Sequence, residues 1–164
     1  MKIHIIGCSG SGKTYLAKHL SKKHQIPHID LDDIQWDNAS GSYGVKNPVE
    51  KRIELLDEAL KNESWIIEGV YFSWVENSFK NADIIYFIDI PRRVYRYRII
   101  KRFILRKLGI ERGKKESLSS VKALLKWTDT FQSENVPQIK KMLLPYSDKV
   151  HYLKSKRDIK KLLK

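Results

Sequence analysis

Residues 7–14 read GCSGSGKT, three glycines, two serines, a lysine and a threonine packed directly behind the apolar run KIHII. Glycines let successive backbone N–H groups turn toward one concave point, and a helix starting there adds the positive end of its dipole. Such a loop cradles phosphate oxygens. Gly7, Gly12, Lys13 and Thr14 meet the pattern G-x-x-x-x-G-K-[ST], with an apolar strand before and the amphipathic KTYLAKHLSKKH after. Lys13 is expected to reach the β- and γ-phosphates of a nucleoside triphosphate, and the Thr14 hydroxyl to ligate Mg²⁺. Ser9, Gly10, Ser11 and Tyr15 complete the set expected to touch the nucleotide, ATP in this reading. A plain glycine turn has no need of a Lys-Thr pair at the helix start.

Phosphoryl chemistry needs acids for the metal and the acceptor, and arginines for the charge on the transferring group. Asp30, Asp32 and Asp33 stand in HIDLDD, at the carboxyl end of an apolar run, the edge where open α/β sheets bind ligands. Asp30 and Asp32, two apart, would share one side of an extended segment. Asp30 is assigned to the Mg²⁺ water shell and Asp32 to the acceptor; the alternative is an acid cluster at a helix start. Glu68 ends WIIEG and is the preferred carboxylate facing the metal, because Gly69 behind it would let a ligand approach the backbone. Its rival, Asp89 in IIYFID, could instead cap the following helix. Arg98, Arg102 and Arg106 recur every four residues on one helix side, and Arg98 and Arg102 are expected to act on the nucleotide.

The elements that must position these residues follow from periodicity. Apolar runs at 2–7, 27–31, 65–69, 84–90 and 149–153 are short and mostly lack strict alternation, as strands buried on both faces do. Helical patterns lie between them. The order β-α-β-α-β-α-β-α-β implies a parallel sheet with helices on both faces. Asn47 as N-cap and Pro48 at the first turn open a helix to about Asn62, with Val49, Ile53, Leu56 and Leu60 on one stripe. Pro91 opens a long basic helix that Gly109 can close, and Ser155 can cap a final helix containing Ile159, Leu162 and Leu163. DNASGSYG, 37–44, is the most loop-like stretch.

The bulk composition limits the alternatives. A chain of 164 residues, 41% hydrophobic and 31% charged, suits one domain and has no apolar run of membrane-spanning length. With no signal-peptide pattern and a lone cysteine, Cys8, read as filler inside the loop, it is expected to be cytoplasmic. The net charge of +13 is concentrated between Arg92 and Lys115, where Glu111 is the one acid, and points to polyanionic partners. No N-K-x-D guanine reader and no strand ending in Asp-Glu are present, which sets aside GTPases and motor ATPases.

With these parts assembled, the chain resembles the nucleotide-kinase-like branch of P-loop proteins, adenylate and shikimate kinases among them, and most of all the small ATPases labelled DNA topology modulation proteins. The resemblance rests on IIGCSGSGKT, IPHIDLDDIQW, WIIEGVY, DIIYFIDIPR with YRIIKR, and VHYLKSKRDIKKLL. It implies a three-layer P-loop fold, a five-stranded parallel sheet in order 2-3-1-4-5, an acceptor-side segment at about 34–63 and a helical lid at about 92–135. By the same resemblance Gly7, Gly10, Gly12, Lys13 and Thr14 match the phosphate loop, and Asp30 and Asp32 the metal and acceptor acids. Arg98 and Arg102 lie seven and eleven residues past Pro91, as in adenylate kinases, and Arg52 matches an acceptor-side arginine by rough location. Glu68 departs from the usual Asp. GVYFSW replaces Gly-Phe-Pro-Arg, so the arginine that grips an acceptor nucleotide is missing, which argues against an ordinary adenylate kinase. The stretch from Lys114 to Lys141 matches no kinase lid, and Trp36, Trp74, Trp127 and Phe131 are read as packing. The expected activity is MgATP-dependent phosphoryl transfer to a small acceptor. The alternative is a nucleic-acid-associated ATPase whose basic helix rides on phosphates, although no helix-turn-helix, zinc or RNA-recognition signature supports it.

Overall fold

Five parallel strands form one sheet in the order β2-β3-β1-β4-β5, with β1 Lys2–Gly7, β2 His28–Asp30, β3 Trp65–Gly69, β4 Ile84–Ile88 and β5 Val150–Leu153. The computed structural model describes residues 1–37, 44–110 and 117–163. Most of the loop expected at 37–44, and 111–116 of the expected lid, therefore lie outside the described residues.

The three inner strands are continuous apolar runs because helices cover both of their faces. Ile3, Ile5, Ile6, Trp65, Ile66, Ile67, Ile85 and Phe87 are all buried. The edge strands differ from that expectation: β2 is half-buried throughout, and His151 and Tyr152 of β5 face solvent. An edge strand has one neighbour and less cover, which also trims it, so that β2 loses Pro27 and Leu31 and β5 loses Lys149. Lys149 instead donates its Nζ to the carbonyls of Lys80 and Ala82 at 2.8 Å.

Helix α1, Lys13–His24, follows the phosphate loop; α2, Leu31–Gln35, and α3, Val49–Leu60, connect β2 to β3; α4, Glu76–Asn81, precedes β4. In α3 two expectations are corrected. Pro48 occupies the N-cap position, and Asn47 instead donates its side-chain amide to the carbonyls of Ile34 and Trp36, holding the end of α2. Only Leu56 and Leu60 of the expected stripe are buried, while Val49 and Ile53, on the first turns of α3, are exposed.

Helix α5, Arg92–Lys107, is the long basic helix, opened by Pro91. Gly109, at φ 72°, ends it: its N–H bonds the Arg106 carbonyl and that of Ile110 bonds Leu105, the paired closure that a left-handed residue permits. The described part of the stretch that matched no lid is helical: α6, Leu118–Thr130, a π-turn over Phe131–Asn135, and α7, Val136–Leu143. Pro137 has no N–H to offer the Ser133 carbonyl, and its ring crowds that turn, which accounts for the widening just upstream. Phe131 is fully buried there with Trp127 against it at 5.2 Å, and Trp74 is buried under α3, so both pack as expected. Helix α8, Lys156–Leu162, closes the chain, capped by the Ser155 hydroxyl on the Asp158 N–H.

Candidate active site

Parallel pairing fixes what meets at the carboxyl edge of the sheet. Gly7 of β1 is in register with Ile88, Ile5 with Glu68, and Asp30 of β2 with Glu68 of β3. Neighbouring strands are about 4.8 Å apart, so the Asp30 and Glu68 carboxyls stand side by side above the loop that leaves β1. A cavity of about 640 Å³ opens over this edge. Ser9, Gly10, Gly12, Lys13, Thr14 and Tyr15 line one wall; Asp30, Asp32, Glu68 and Gly69 line another.

The loop itself is set by backbone chemistry. Gly10 and Gly12 adopt φ 76° and 104°, which side chains disfavour, and a Cβ on Gly7 would lie 2.8 Å from the Ile88 carbonyl oxygen. Lys13 is buried and donates to the Cys8 carbonyl at 3.1 Å. Burial lowers its pKa, and the Glu68 charge is the main opposing influence. Cys8 is buried with its thiol pushed up to about 12 by burial, so it is an inert filler.

Across the cavity Thr14 donates its hydroxyl to Glu68 Oε1 at 2.6 Å. His28 Nε2 stands 3.7 Å from the same oxygen, an ion-pair distance rather than a hydrogen bond. Glu68 is 2% exposed; burial pushes its carboxyl up, but His28, Lys13 and Thr14 outweigh that and hold it below the usual range. Asp30 goes the other way, to about 6, through burial and then the neighbouring Glu68 charge. Among the described residues no group of three or more His, Cys, Asp and Glu could cage an ion unaided. The oxygens of Thr14, Glu68 and Asp30 could hold a hard cation such as Mg²⁺, which keeps waters and substrate phosphates beside one or two carboxylates.

Several sequence expectations are placed differently. Asp30 and Asp32 do line the cavity together, but not by strand alternation: Asp30 caps α2 by accepting from the Asp32 N–H at 2.9 Å, and Asp32 sits in the helix's first turn. Asp33 is on that turn outside the cavity. Gly69 is required for packing as much as for ligand approach, since its Cβ would come 2.8 Å from the Leu31 side chain. Asp89 neither lines the cavity nor caps α5; it pairs with Lys140 of α7 at 2.8 Å.

Arg98 and Arg102 line the cavity, whereas Arg106 does not. Arg98 is bonded to the loop itself, its Nη1 on the carbonyls of Ser11 at 2.6 Å and Gly10 at 3.2 Å. Arg92 and Arg96 are spent on Asp129 of α6, Arg96 through two bonds of 2.9 and 2.8 Å. Arg52 lies farther out, donating to Gln35 at 2.9 Å with its guanidinium 5.6 Å above Trp74.

Two features escaped sequence reasoning. Lys156, Ile159, Lys160 and Leu163 of the α8 region form the far side of the cavity, an i, i+4 pair of lysines whose periodicity was legible but whose destination was not. Tyr71, in the stretch GVYFSW, donates its hydroxyl to Asp32 Oδ1 at 2.6 Å. No local pattern marks it, because its partner is 39 residues away.

No protein-family model matches the chain. It is 33% identical over 93 residues to the uncharacterized protein YqaC of Bacillus subtilis, covering 56% of this chain and 51% of that protein. It is 29% identical over 119 residues to an adenylate kinase of Clostridium kluyveri, covering 57% of this chain and 55% of the enzyme. The chain thus spans about half the length of the curated relatives it matches. A shikimate kinase from Bacteroides thetaiotaomicron superposes with a TM-score of 0.56 at 17% identity, over 99% of this chain and 94% of that one. The sheet order and that superposition establish the P-loop NTPase fold, and with the adenylate kinase similarity they support a nucleotide-kinase-like protein.

Proposed function

We propose that the protein is a MgATP-dependent phosphotransferase acting on a small acceptor. One observation carries this reading: a single cavity joins the phosphate loop, Lys13, Arg98 and Arg102 to three carboxylates, Asp30 of β2, Asp32 of α2 and Glu68 of β3. In this reading the loop amides and Lys13 bind the β- and γ-phosphates, and Arg102 offsets charge on the transferring group. Arg98 braces the loop through its carbonyls and faces the nucleotide from there. Thr14, Glu68 and Asp30 would hold Mg²⁺, which supplies charge neutralisation between the phosphates. Asp32 faces the acceptor, orients its hydroxyl and takes its proton. Residues 92–135 serve as the lid and 34–63 as the acceptor side of one domain. Glu68 is one methylene longer than the usual Asp, and its bond to Thr14 takes up that length.

Against the nucleic-acid alternative, three arginines of α5 are in internal use. Arg98 is committed to the loop, and Arg92 and Arg96 to Asp129. No helix among the described residues is long and apolar enough to cross a membrane.

The test is calorimetry of ATP with Mg²⁺ on wild type and Lys13→Ala, followed by a screen of nucleosides, nucleotides and small metabolites with labelled ATP. Transfer to one acceptor, lost in Lys13→Ala with the fold intact, is the expected result. Undiminished turnover in Lys13→Ala, or no binding to folded wild type, refutes the reading.

A further inference from the structure

The phenol of Tyr71 lies on the loop just past β3 and reaches back over the cavity edge to Asp32. Its donor bond to Asp32 Oδ1, at 2.6 Å, is short and charge-assisted. Asp32 is exposed at the first turn of α2, lines the same cavity as Asp30 and Glu68, and its charge and that of Asp30 repel each other. An exposed carboxylate in that company would turn toward solvent unless something held it.

Tyr71 is itself held. Its ring rests on Trp74, with centroids 5.5 Å apart and a 39° tilt, and Trp74 in turn carries the Arg52 guanidinium, which is bonded to Gln35 of α2. The contacts form a closed belt: α2 supplies Asp32 and Gln35, the loop after β3 supplies Tyr71 and Trp74, and α3 supplies Arg52. Trp74 is buried, so the belt is anchored in the core rather than on the surface.

From this geometry we infer that Tyr71 is a positioning residue, whose hydroxyl fixes the Asp32 carboxylate at the acceptor side of the cavity. The inference rests on the reading of Asp32 as the acceptor-facing acid. The bond occupies Oδ1, so Oδ2 is the oxygen left to accept from an acceptor hydroxyl. Burial and then the hydrogen bond to Asp32 push the phenol far above its ordinary range, so Tyr71 stays a donor at neutral pH. Packing alone does not explain the hydroxyl, because a phenylalanine ring would rest on Trp74 equally well.

The test uses this chain with Tyr71→Phe, Asp32→Ala and the double variant; alanine leaves no side-chain acceptor at position 32. In ¹³C-tyrosine-labelled wild type, NMR is expected to show a slowly exchanging Tyr71 hydroxyl proton that Asp32→Ala releases to fast exchange. With water as the acceptor, Tyr71→Phe is expected to lower the kcat of MgATP hydrolysis about tenfold while the KM for ATP stays within about twofold. The double variant should fall no further than Asp32→Ala. Equal hydroxyl exchange in wild type and Asp32→Ala overturns the inference, and so do losses that multiply in the double variant. If folded wild type does not bind MgATP, the phosphotransferase reading fails, and the NMR comparison still decides on the bond. Should Tyr71→Phe not fold, the wild-type and Asp32→Ala spectra decide alone.

Discussion

The two walls of the cavity are built by opposite means. The phosphate wall is a backbone structure: Gly10 and Gly12 carry the chain through positive φ between β1 and α1, and side chains lock the loop, Arg98 on two of its carbonyls and Lys13 on the Cys8 carbonyl. The acid wall is a side-chain structure gathered from β2, α2 and β3, and its members repel one another. Asp30 shows burial and then that repulsion in a pKa raised to about 6, and Glu68 shows the compensation by His28, Lys13 and Thr14. Order on one side is geometric; on the other it is electrostatic.

The contrast predicts different responses to substitution. The largest effect is expected where the walls join. Thr14→Val is nearly isosteric but removes the hydroxyl that meets Glu68 and is assigned to Mg²⁺, so turnover should fall by about 10²–10³-fold. Nucleotide binding without metal should survive it. Steady-state kinetics and calorimetry with and without Mg²⁺ measure this; equal losses in both would merge the two walls into one unit.

Next comes the backbone wall. Gly10 sits at φ 76°, with a Cβ position 3.1 Å from the Tyr95 carbonyl oxygen and the Ile99 side chain. Gly10→Ala should cost about 2 kcal/mol of stability and weaken nucleotide binding, as read by urea unfolding and calorimetry.

The acid wall should behave inversely. Asn can still cap α2, so Asp30→Asn removes only the repelled charge. Unfolded, the carboxyl titrates near 3.8; folded, near 6. As pH rises through that window the unfolded chain releases its proton first, so the native state loses stability and carries the whole penalty above about pH 6. Asp30→Asn should therefore stabilise the unliganded protein by about 1 kcal/mol at pH 7.5, and by almost nothing below about pH 4. Thermal unfolding at the two values checks it, and a variant less stable at pH 7.5 would contradict the electrostatic account.

The smallest effect belongs to the α5–α6 contact. Asp129→Asn loosens the two arginine pairs at a half-exposed site and should cost about 0.5–1 kcal/mol, with no change in ATP affinity beyond about twofold. A double-mutant cycle with Arg96→Gln isolates the pair.

The amino-acid sequence by itself determined the phosphate loop, the strand order of the chain, the basic helix between Pro91 and Gly109, and the acids at the ends of the second and third strands. These are local: a loop shaped by its own glycines, a helix closed by its own glycine and a strand named by its own apolar run carry their evidence within a few residues. Tertiary structure decided everything that depends on register and closure. Parallel pairing put Asp30 against Glu68, α2 took Asp32 out of the extended segment, and the fold brought Tyr71 to Asp32 and the α8 lysines to the cavity. It also turned Asp89 toward Lys140, and left Val49 and Ile53 uncovered. The physical reason is that a charge or a hydroxyl acquires its role from the partner it meets, and those partners lie tens of residues away along the chain.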